Sequence, residues 1–217
     1  MNRPTALLII DMQRDFCEPG GYADTAGLDS ARLRRPIAAI AALAGRARLV
    51  GIPVIYTREG HAPDLSDCPP TKLRRSVKCG AAIGLAGPLG RHLVRGEAGH
   101  GIIPELAAKP GETVIDKPGY GAFYRTRLSE TLNAGGIRHL YLTGITTDIC
   151  VQSTLREAVD RGYECMTVSD ACAAGTDALH EAALAMIEGP EGPILGQVKT
   201  TEEVLARWPL AHAEADS

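Results

Sequence analysis

Apolar strand signals alternate with helix signals along this chain, and that alternation restricts the fold more than any other feature. Residues Thr5 to Ile10 are apolar almost throughout, as expected for an inner strand of a parallel sheet. Segments with apolar residues at helical spacing lie between the strand signals, and the Gly135-Gly136 pair ends one of these predicted helices. The pattern predicts an α/β fold with a largely parallel sheet.

The predicted elements cover most of the 217 residues, which we expect to form a single domain, 1–217. The predicted strands are 5–10, 53–57, 112–116, 139–145, 163–169 and 194–198. The predicted helices are 30–50, 128–134, a segment beginning after Cys150, 176–187 and 201–208. Residues 58–102 have little periodicity and much Gly, Pro and charge, which predicts a functional segment such as a lid or a subunit contact.

The composition argues against two classes of partner. The formal net charge is −3, so nothing indicates the basic surface of a nucleic-acid binder. No apolar run is long enough to cross a bilayer, and the N-terminus lacks the features of a signal peptide. The six cysteines are scattered without Cys-x-x-Cys pairs, which is typical of reduced thiols. We therefore expect a cytoplasmic protein that acts on a small molecule.

Cys150 lies where the predicted strand 139–145 runs into a helix. The N-terminus of a helix presents unpaired N–H groups and a partial positive charge, so we expect the turn to lower the pKa of this thiol. The same N–H groups can stabilise the oxyanion that forms when a thiolate attacks a carbonyl. The alternative is that Cys150 is a small core residue without chemistry.

Two further residues favour the chemical interpretation. Asp11 follows the first predicted strand, and Lys117 follows the third. Because ligands bind beyond the carboxyl ends of strands in open parallel sheets, an acid, a base and a thiol should meet at one edge. Taken alone, Asp11 is equally well a turn or cap residue and Lys117 a solvated cation.

Three motifs resemble those of a known family, the isochorismatase-like cysteine hydrolases. They are Asp11-Met-Gln-Arg-Asp-Phe16, Asp116-Lys117-Pro118 and Thr143-Gly-Ile-Thr-Thr-Asp-Ile-Cys150, and the resemblance extends from about Thr5 to Val198. It implies an open, mostly parallel six-stranded sheet with helices on both faces, and a homotetramer. It also implies a catalytic triad of Asp11, Lys117 and Cys150, and no cofactor.

The resemblance also implies the geometry around the nucleophile. The peptide bond before Thr146 would be cis, and the N–H groups of Thr146 and Cys150 would form the oxyanion hole. Segments such as Thr57-Arg-Glu-Gly-His-Ala-Pro-Asp64 are similar to the branch of biuret, triuret and ureidoacrylate hydrolases. That similarity implies small amides and ureas as substrates.

These residues suggest acyl transfer through a thioester. Asp11 would take the proton of Cys150 and later return it to the departing nitrogen, while Lys117 stays cationic and holds both groups in place. A free aspartate and a free thiol differ by roughly 4.6 pKa units, or about 6 kcal/mol against the first proton transfer. Burial of Asp11 would reduce this difference, whereas Lys117 would oppose that part of the shift.

Four residues are candidates for substrate binding. Phe16 could pack on a planar urea, and Tyr120 and Tyr124 are candidate pocket walls; the alternative for each is ordinary packing. Biuret-type relatives resemble the region before the last strand but carry a glutamine where this chain has Glu191. A carboxylate only accepts hydrogen bonds and pairs best with a cationic amidinium, so Glu191 suggests guanylurea over neutral biuret. Glu191 is otherwise a solvated loop acid.

We expect no metal. Nicotinamidases resemble the chain at Glu59-Gly60-His61, where they use an acid and a histidine as ligands, but a further family histidine has no match downstream. His61 and His100 are therefore interpreted as polar loop residues.

Three alternatives to a guanylurea or biuret hydrolase remain open. The first is a ureidoacrylate or nicotinamide-type amidohydrolase. The second is a catalytically idle binding member of the fold, for which an intact Asp11, Lys117 and Cys150 would be unnecessary. The third is a redox role for Cys150, for which no second cysteine nearby suggests a resolving partner.

Overall fold

The sheet is the centre of the structure. A computed structural model describes residues 4–189 and 192–210. In chain order the strands are β1 (Thr5–Ile10), β2 (Val54–Glu59), β3 (Ala86–Gly87), β4 (Gly90–Arg91), β5 (Thr113–Lys117), β6 (His139–Ile145), β7 (Glu164–Ala173) and β8 (Gln197–Lys199). Six of them form one parallel sheet in the order β5-β2-β1-β6-β7-β8, while β3 and β4 pair separately as a short antiparallel hairpin. The expected α/β fold with a parallel six-stranded sheet is confirmed.

Helices lie between the strands. In chain order they are α1 (Arg14–Cys17), α2 (Tyr22–Thr25), α3 (Ser30–Leu33), α4 (Ile37–Leu49), α5 (Pro70–Lys78), α6 (Leu128–Ala134), α7 (Gln152–Asp160), α8 (Asp177–Glu188) and α9 (Thr201–Arg207). Short 3-10 turns occur at Ala98–His100 and Pro104–Leu106, and a π-helical turn at Thr147–Val151 leads into α7.

The alternation of side chains along β1 produces a core on each face of the sheet. Leu7 and Ile9 point to one face, where they pack in a cluster with residues of α4 and α9. Leu8 and Ile10 point to the other face and pack with residues of α6 and α7. A strand buried on both sides has to be apolar throughout, which is why β1 carries no polar residue after Thr5.

The strand order creates a crevice between β1 and β6. From β1 the chain builds outward on one side through β2 and β5, and then crosses to the other side of β1 to form β6. A parallel sheet binds ligands at such a topological switch point, beyond the carboxyl ends of the two central strands. Asp11 follows β1 directly, and the π-helical turn that carries Cys150 follows β6.

Several predicted elements have different bounds in the structure. The predicted helix 30–50 is divided into α3 and α4, because Pro36 has no N–H to donate and disfavours helical geometry at Arg35. The last strand is the short β8 at 197–199, rather than 194–198.

The stretch 58–102 is more ordered than its composition suggested. Together with the residues up to 112 it forms what we call the long connection, residues 60–112, between β2 and β5. It contains α5, the β3–β4 hairpin and both 3-10 turns. Helix α5 begins with Pro70 at its first position, where a missing N–H has no consequence.

Among the helices of the described ranges, none combines the length and the apolar character that crossing a bilayer requires.

Gly144 marks the closest approach of β6 to β1. Its backbone is left-handed, with φ at 108°, and a β-carbon at this position would overlap the carbonyl oxygen of Ile10. Only glycine satisfies both conditions. Gly144 lies two positions before Thr146, which directly precedes the π-helical turn that carries Cys150.

We therefore expect Gly144→Ala to reduce the free energy of unfolding by about 3 kcal/mol or more, because it adds both backbone strain and overlap. Gly45→Ala is the matched control: Gly45 lies inside α4 with open space around it, so an alanine there should add about 0.5–1 kcal/mol. Denaturant unfolding monitored by circular dichroism measures both. Equal stability of the two variants would contradict the proposed close approach.

Candidate active site

Three chemically active side chains meet at the carboxyl edge of the sheet. Asp11 follows β1 in a left-handed backbone conformation with φ at 54°, Lys117 is the last residue of β5, and Cys150 lies in the π-helical turn after β6. All three are buried, and the two charged ones are completely inaccessible to solvent. The structure thus brings together the acid, the base and the thiol that the sequence places at three strand ends.

Asp11 is held by two neighbours. Lys117 Nζ lies 2.7 Å from Asp11 Oδ2, and Thr57 Oγ1 donates a hydrogen bond to Asp11 Oδ1 at 2.7 Å. Burial raises the pKa of Asp11 above its ordinary value, and this effect outweighs the opposing attraction of the Lys117 ammonium. A carboxylate with a raised pKa is a better base toward a thiol than a free aspartate.

Lys117 is held in place by the backbone that follows it. Its Nζ donates hydrogen bonds to the carbonyl oxygens of Gly119 and Tyr120, each at 2.9 Å. Burial alone would lower the pKa of Lys117, but the neighbouring Asp11, Cys150 and Glu59 together raise it, so the side chain remains an ammonium.

Cys150 lies next to both acids of the site. Its Sγ is 3.4 Å from Glu59 Oε2, and Sγ and one oxygen of each carboxylate, Asp11 and Glu59, all lie within 4.8 Å of one another. Turns of the π type occur frequently at functional sites. The peptide bond between Ile145 and Thr146 is cis, as the resemblance implies.

The expected lowering of the thiol pKa is wrong for this resting site. Burial raises the pKa of Cys150 well above its ordinary value, Lys117 opposes the shift, and the two carboxylates add to it. The helix terminus is present, but a desolvated sulfur facing two anions is stabilised in its protonated form. Cys150 therefore rests as a thiol and needs a base when it reacts.

Glu59 and Lys72 belong to the site, although we did not predict them there. Glu59 is buried at the end of β2, and its Oε1 lies 2.7 Å from Lys72 Nζ of α5, which is also buried. Lys72 Nζ in turn donates to the carbonyl oxygen of Pro118 at 2.7 Å. Glu59 Oε2 lies 3.4 Å from Lys117 Nζ.

One signal in the sequence would have found Glu59. The predicted second strand ended at Thr57, two residues early, whereas β2 continues to Glu59. Because side chains alternate along a strand, Thr57 and Glu59 share one face, and Thr57 contacts Asp11. Lys72 had no comparable signal, since α5 lies in the segment that was expected to be irregular.

The donor set does not fit a metal ion. Asp11 and Glu59 are close enough to share one, but the ammonium groups of Lys117 and Lys72 already lie 2.7 Å from these carboxylates. His61 Nδ1 lies 3.3 Å from Asp67 Oδ1, and His100 Nε2 lies 3.4 Å from Asp116 Oδ1.

The candidate substrate-binding residues have different surroundings. Tyr120 is partly exposed beside the site, and Lys72 Nζ lies 4.8 Å from the centre of its ring. Tyr124 is also partly exposed and packs closely over Gly119. Phe16 is half-buried against the core and meets Tyr22 edge to face at 6.0 Å. Glu191 lies outside the described residues.

A cavity of about 850 Å³ lies at the opposite, amino edge of the sheet. Its lining includes the starts of β1, β6 and β7 together with Trp208. None of the charged groups that surround Cys150 contributes to it, so the cluster around Cys150 and this cavity lie at different ends of the strands.

The ion pair predicts the stability of a Lys117 variant. Lys117→Met leaves Asp11 buried without its ammonium partner, while Glu59 keeps its contact with Lys72, and the substitution should cost about 3–5 kcal/mol near neutral pH. Without Lys117, the pKa of Asp11 in the folded state lies further above its unfolded value. The variant should therefore be most stable at low pH and lose stability as the pH rises through that folded-state pKa.

Thermal unfolding followed by circular dichroism between pH 4 and pH 8 checks this expectation. Lys109→Met, which removes an exposed lysine of the long connection, should stay within about 0.5 kcal/mol of the wild type. A Lys117→Met variant with the stability and pH dependence of the wild type would show that the ion pair is unimportant.

Comparisons with known proteins agree with this arrangement. A family model described as Isochorismatase domain matches residues 5–203. The ureidoacrylate amidohydrolase RutB of Methylobacterium radiotolerans is 35% identical over 197 residues, a match that covers 85% of this chain and 73% of the relative. RutB of Methylorubrum extorquens is 36% identical over 188 residues, covering 85% and 76%.

Solved structures share the fold. An isochorismatase family protein from Desulfovibrio vulgaris superposes with a TM-score of 0.76 at 29% identity, covering 95% of this chain and 100% of that one. The N-carbamoylsarcosine amidase of Thermoplasma acidophilum superposes with a TM-score of 0.70 at 26% identity, covering 91% and 96%. From the matched family model and these relatives, the chain belongs to the isochorismatase-like hydrolase family and is an enzyme.

Proposed function

We propose that the protein is a cysteine-dependent amidohydrolase that cleaves a C–N bond of a small linear urea derivative and releases ammonia or an amine. The observation that carries this proposal is the buried contact between the Asp11–Lys117 ion pair and the Cys150 thiol. A binding protein gains nothing from burying an acid, an ammonium and a thiol together, because each loses its solvation. A nucleophilic enzyme needs all three.

In the proposed mechanism Asp11 carries one proton in each half of the reaction. Asp11 takes the proton from Cys150 Sγ as the sulfur attacks the carbonyl carbon of the substrate. The N–H groups of Thr146 and Cys150 stabilise the oxyanion. Asp11 then passes the proton to the departing nitrogen, the C–N bond breaks, and a thioester remains on Cys150. A water molecule that gives a proton to Asp11 attacks the thioester, and the product leaves as Cys150 regains its proton.

Lys117 takes the role of an electrostatic clamp in this scheme. Its ammonium contacts Asp11 and donates to two carbonyl oxygens, so its donors are already engaged. It is therefore suited to stabilising negative charge on Asp11 or on the sulfur, whichever carries it, and poorly placed to act as an acid.

The substrate we favour is guanylurea or biuret. The support is the similarity to biuret-type hydrolases and the carboxylate of Glu191, where those relatives carry a glutamine. Phe16, Tyr120 and Tyr124 are the proposed contacts for the planar part of the substrate.

Ureidoacrylate is the second candidate. Relatives at 35–36% identity are named ureidoacrylate amidohydrolases. Ureidoacrylate carries a carboxylate, and the exposed Arg75 of α5 lies beside Tyr120 at the site, where a cation could pair with that group.

The remaining expectations are also proposals. We propose that the chain is one domain, functions in the cytoplasm and assembles as a homotetramer. All six cysteines are unpaired in the structure, which is compatible with a reducing compartment.

The proposed nucleophile predicts the effect of its removal. Cys150→Ala should reduce turnover by roughly 10⁴-fold or more while the fold is retained, since nothing else in the cluster forms the thioester. Ammonia release from biuret, triuret, guanylurea, ureidoacrylate and nicotinamide measures activity, and circular dichroism measures folding. Cys79→Ala is the control, because Cys79 is exposed and lies outside the site. Full activity of Cys150→Ala on the preferred substrate would refute the mechanism.

The choice of substrate has its own test. If Glu191 pairs with an amidinium, the wild type should turn over guanylurea faster than biuret, and Glu191→Gln should reverse the preference by roughly ten-fold or more. Steady-state kinetics on both substrates decide this. An unchanged ratio would remove Glu191 from the substrate site and leave ureidoacrylate as the better candidate.

A further inference from the structure

Glu59 is the second carboxylate of the active site, and it contacts the ammonium groups of Lys72 and Lys117 and the thiol of Cys150. One oxygen meets the Lys72 ammonium at 2.7 Å, while the other lies 3.4 Å from both Lys117 Nζ and Cys150 Sγ. Glu59 is almost fully buried, and Lys72 reaches it from α5 in the long connection. The steps of the mechanism proposed above do not involve either residue.

The charges of the cluster show what Glu59 contributes. With Lys117 as its only charged neighbour, the Asp11–Cys150 pair would lose its proton easily, because an ammonium favours both the carboxylate and the thiolate. A pair without a proton has nothing to give to the leaving nitrogen. The negative charge of Glu59, next to both the sulfur and Lys117, opposes that loss.

Lys72 keeps Glu59 in its charged form. A buried carboxylate facing a second carboxylate would ordinarily take up a proton. Burial alone would raise the pKa of Glu59, but the ammonium groups of Lys117 and Lys72 outweigh that effect and hold it below its ordinary value. The pKa of Asp11 is therefore raised, whereas that of Glu59 is lowered. This difference makes Asp11 the acid that can carry a proton and Glu59 the acid that stays an anion.

We propose that Glu59, held in place by Lys72, is a positioning residue that keeps one proton in the Asp11–Cys150 pair at the pH where the enzyme works. This proposal rests on the proposed roles of Asp11 and Cys150, and it adds what holds their proton there. Glu59 takes part in no proton transfer: the protons move among the thiol, Asp11, the leaving nitrogen and water, and Glu59 remains an anion throughout.

The other titratable groups that face the cluster are the same in every variant described below. They are Tyr22 of α2, Arg75 of α5, Tyr120 after β5, Glu157 of α7, and His61 and Cys68 of the long connection. Burial raises the pKa of both tyrosines and lowers that of the histidine, so these three remain neutral around neutral pH. Glu157 has the same electrostatic interaction with Lys117 in each of these variants.

The pH at which the pair loses its proton can be measured without a substrate. Iodoacetamide reacts with thiolates, so the rate at which it modifies the Cys150 peptide, followed by mass spectrometry from neutral to alkaline pH, gives a midpoint. Peptide-level detection separates Cys150 from the other five cysteines.

Two variants should shift this midpoint in opposite directions. Glu59→Gln removes a negative charge beside the sulfur and should lower the midpoint by about one pH unit or more. Lys72→Met removes a positive charge and should raise it by a similar amount, because Glu59 is still ionised at alkaline pH beside Lys117. Lys72→Arg keeps the charge and should leave the midpoint near the wild-type value. Lys78→Met is the matched control, since Lys78 is an exposed lysine on the same helix.

If Glu59 and Lys72 had only a structural role, their replacement would change the rate of labelling but would not shift the midpoint in opposite directions. If Glu59→Gln keeps the wild-type midpoint, or if both variants move it in the same direction, the proposal is wrong while the proposed function survives. If Cys150 of the wild type is not labelled at any pH, the thiol is closed to small molecules and both proposals fail. Should Glu59→Gln fail to fold, Lys72→Met and Lys72→Arg still decide, because a midpoint that is equal in the two overturns the proposal.

Discussion

The buried ion pair between Asp11 and Lys117 is the interaction on which the site depends. Both side chains are removed from solvent, at a cost that only close opposite charges and hydrogen bonds can offset. The contact also joins the ends of two strands that are not neighbours, because Lys117 ends β5 and Asp11 follows β1, with β2 between them. The residues at the end of β2 therefore have to be polar. Thr57 donates a hydrogen bond to Asp11, and Glu59 lies beside the Lys117 ammonium.

The backbone around this ion pair is fixed by a second polar network. The side chain of Gln13 donates to the carbonyl oxygens of Glu59 at 2.9 Å and His100 at 3.1 Å, and accepts from the N–H of Glu59 at 2.6 Å. Asp15 accepts from the N–H of Leu93 at 2.9 Å. These bonds join the segment after β1 to the end of β2 and to the long connection. Lys72 adds a charged contact from the same connection, so this stretch contributes directly to the site and is more than a link between strands.

The sequence was sufficient to predict the ends of β1, β5 and β6 to within one residue, but not the order of the strands. Asp11, Lys117 and Cys150 could be placed at one edge because each follows an apolar run. That β2 lies between β1 and β5 is a property of the assembled sheet, and it is what brings Glu59 next to Lys117 and Cys150. The break at Pro36 had a visible cause in the sequence, whereas the contact of Lys72 depends on how α5 folds back over the site. The pKa of Cys150 was predicted in the wrong direction because the helix terminus is a local feature, while burial is a feature of the whole fold.

We expect the resting site to keep its proton and Cys150 to become a thiolate only during the reaction. The most direct measurement is the far-ultraviolet absorbance of the thiolate as a function of pH, taken as the difference between the wild type and Cys150→Ala. No thiolate signal from Cys150 should appear below neutral pH, and the signal should rise only at alkaline pH. A full thiolate signal already present in mildly acidic solution would contradict this expectation.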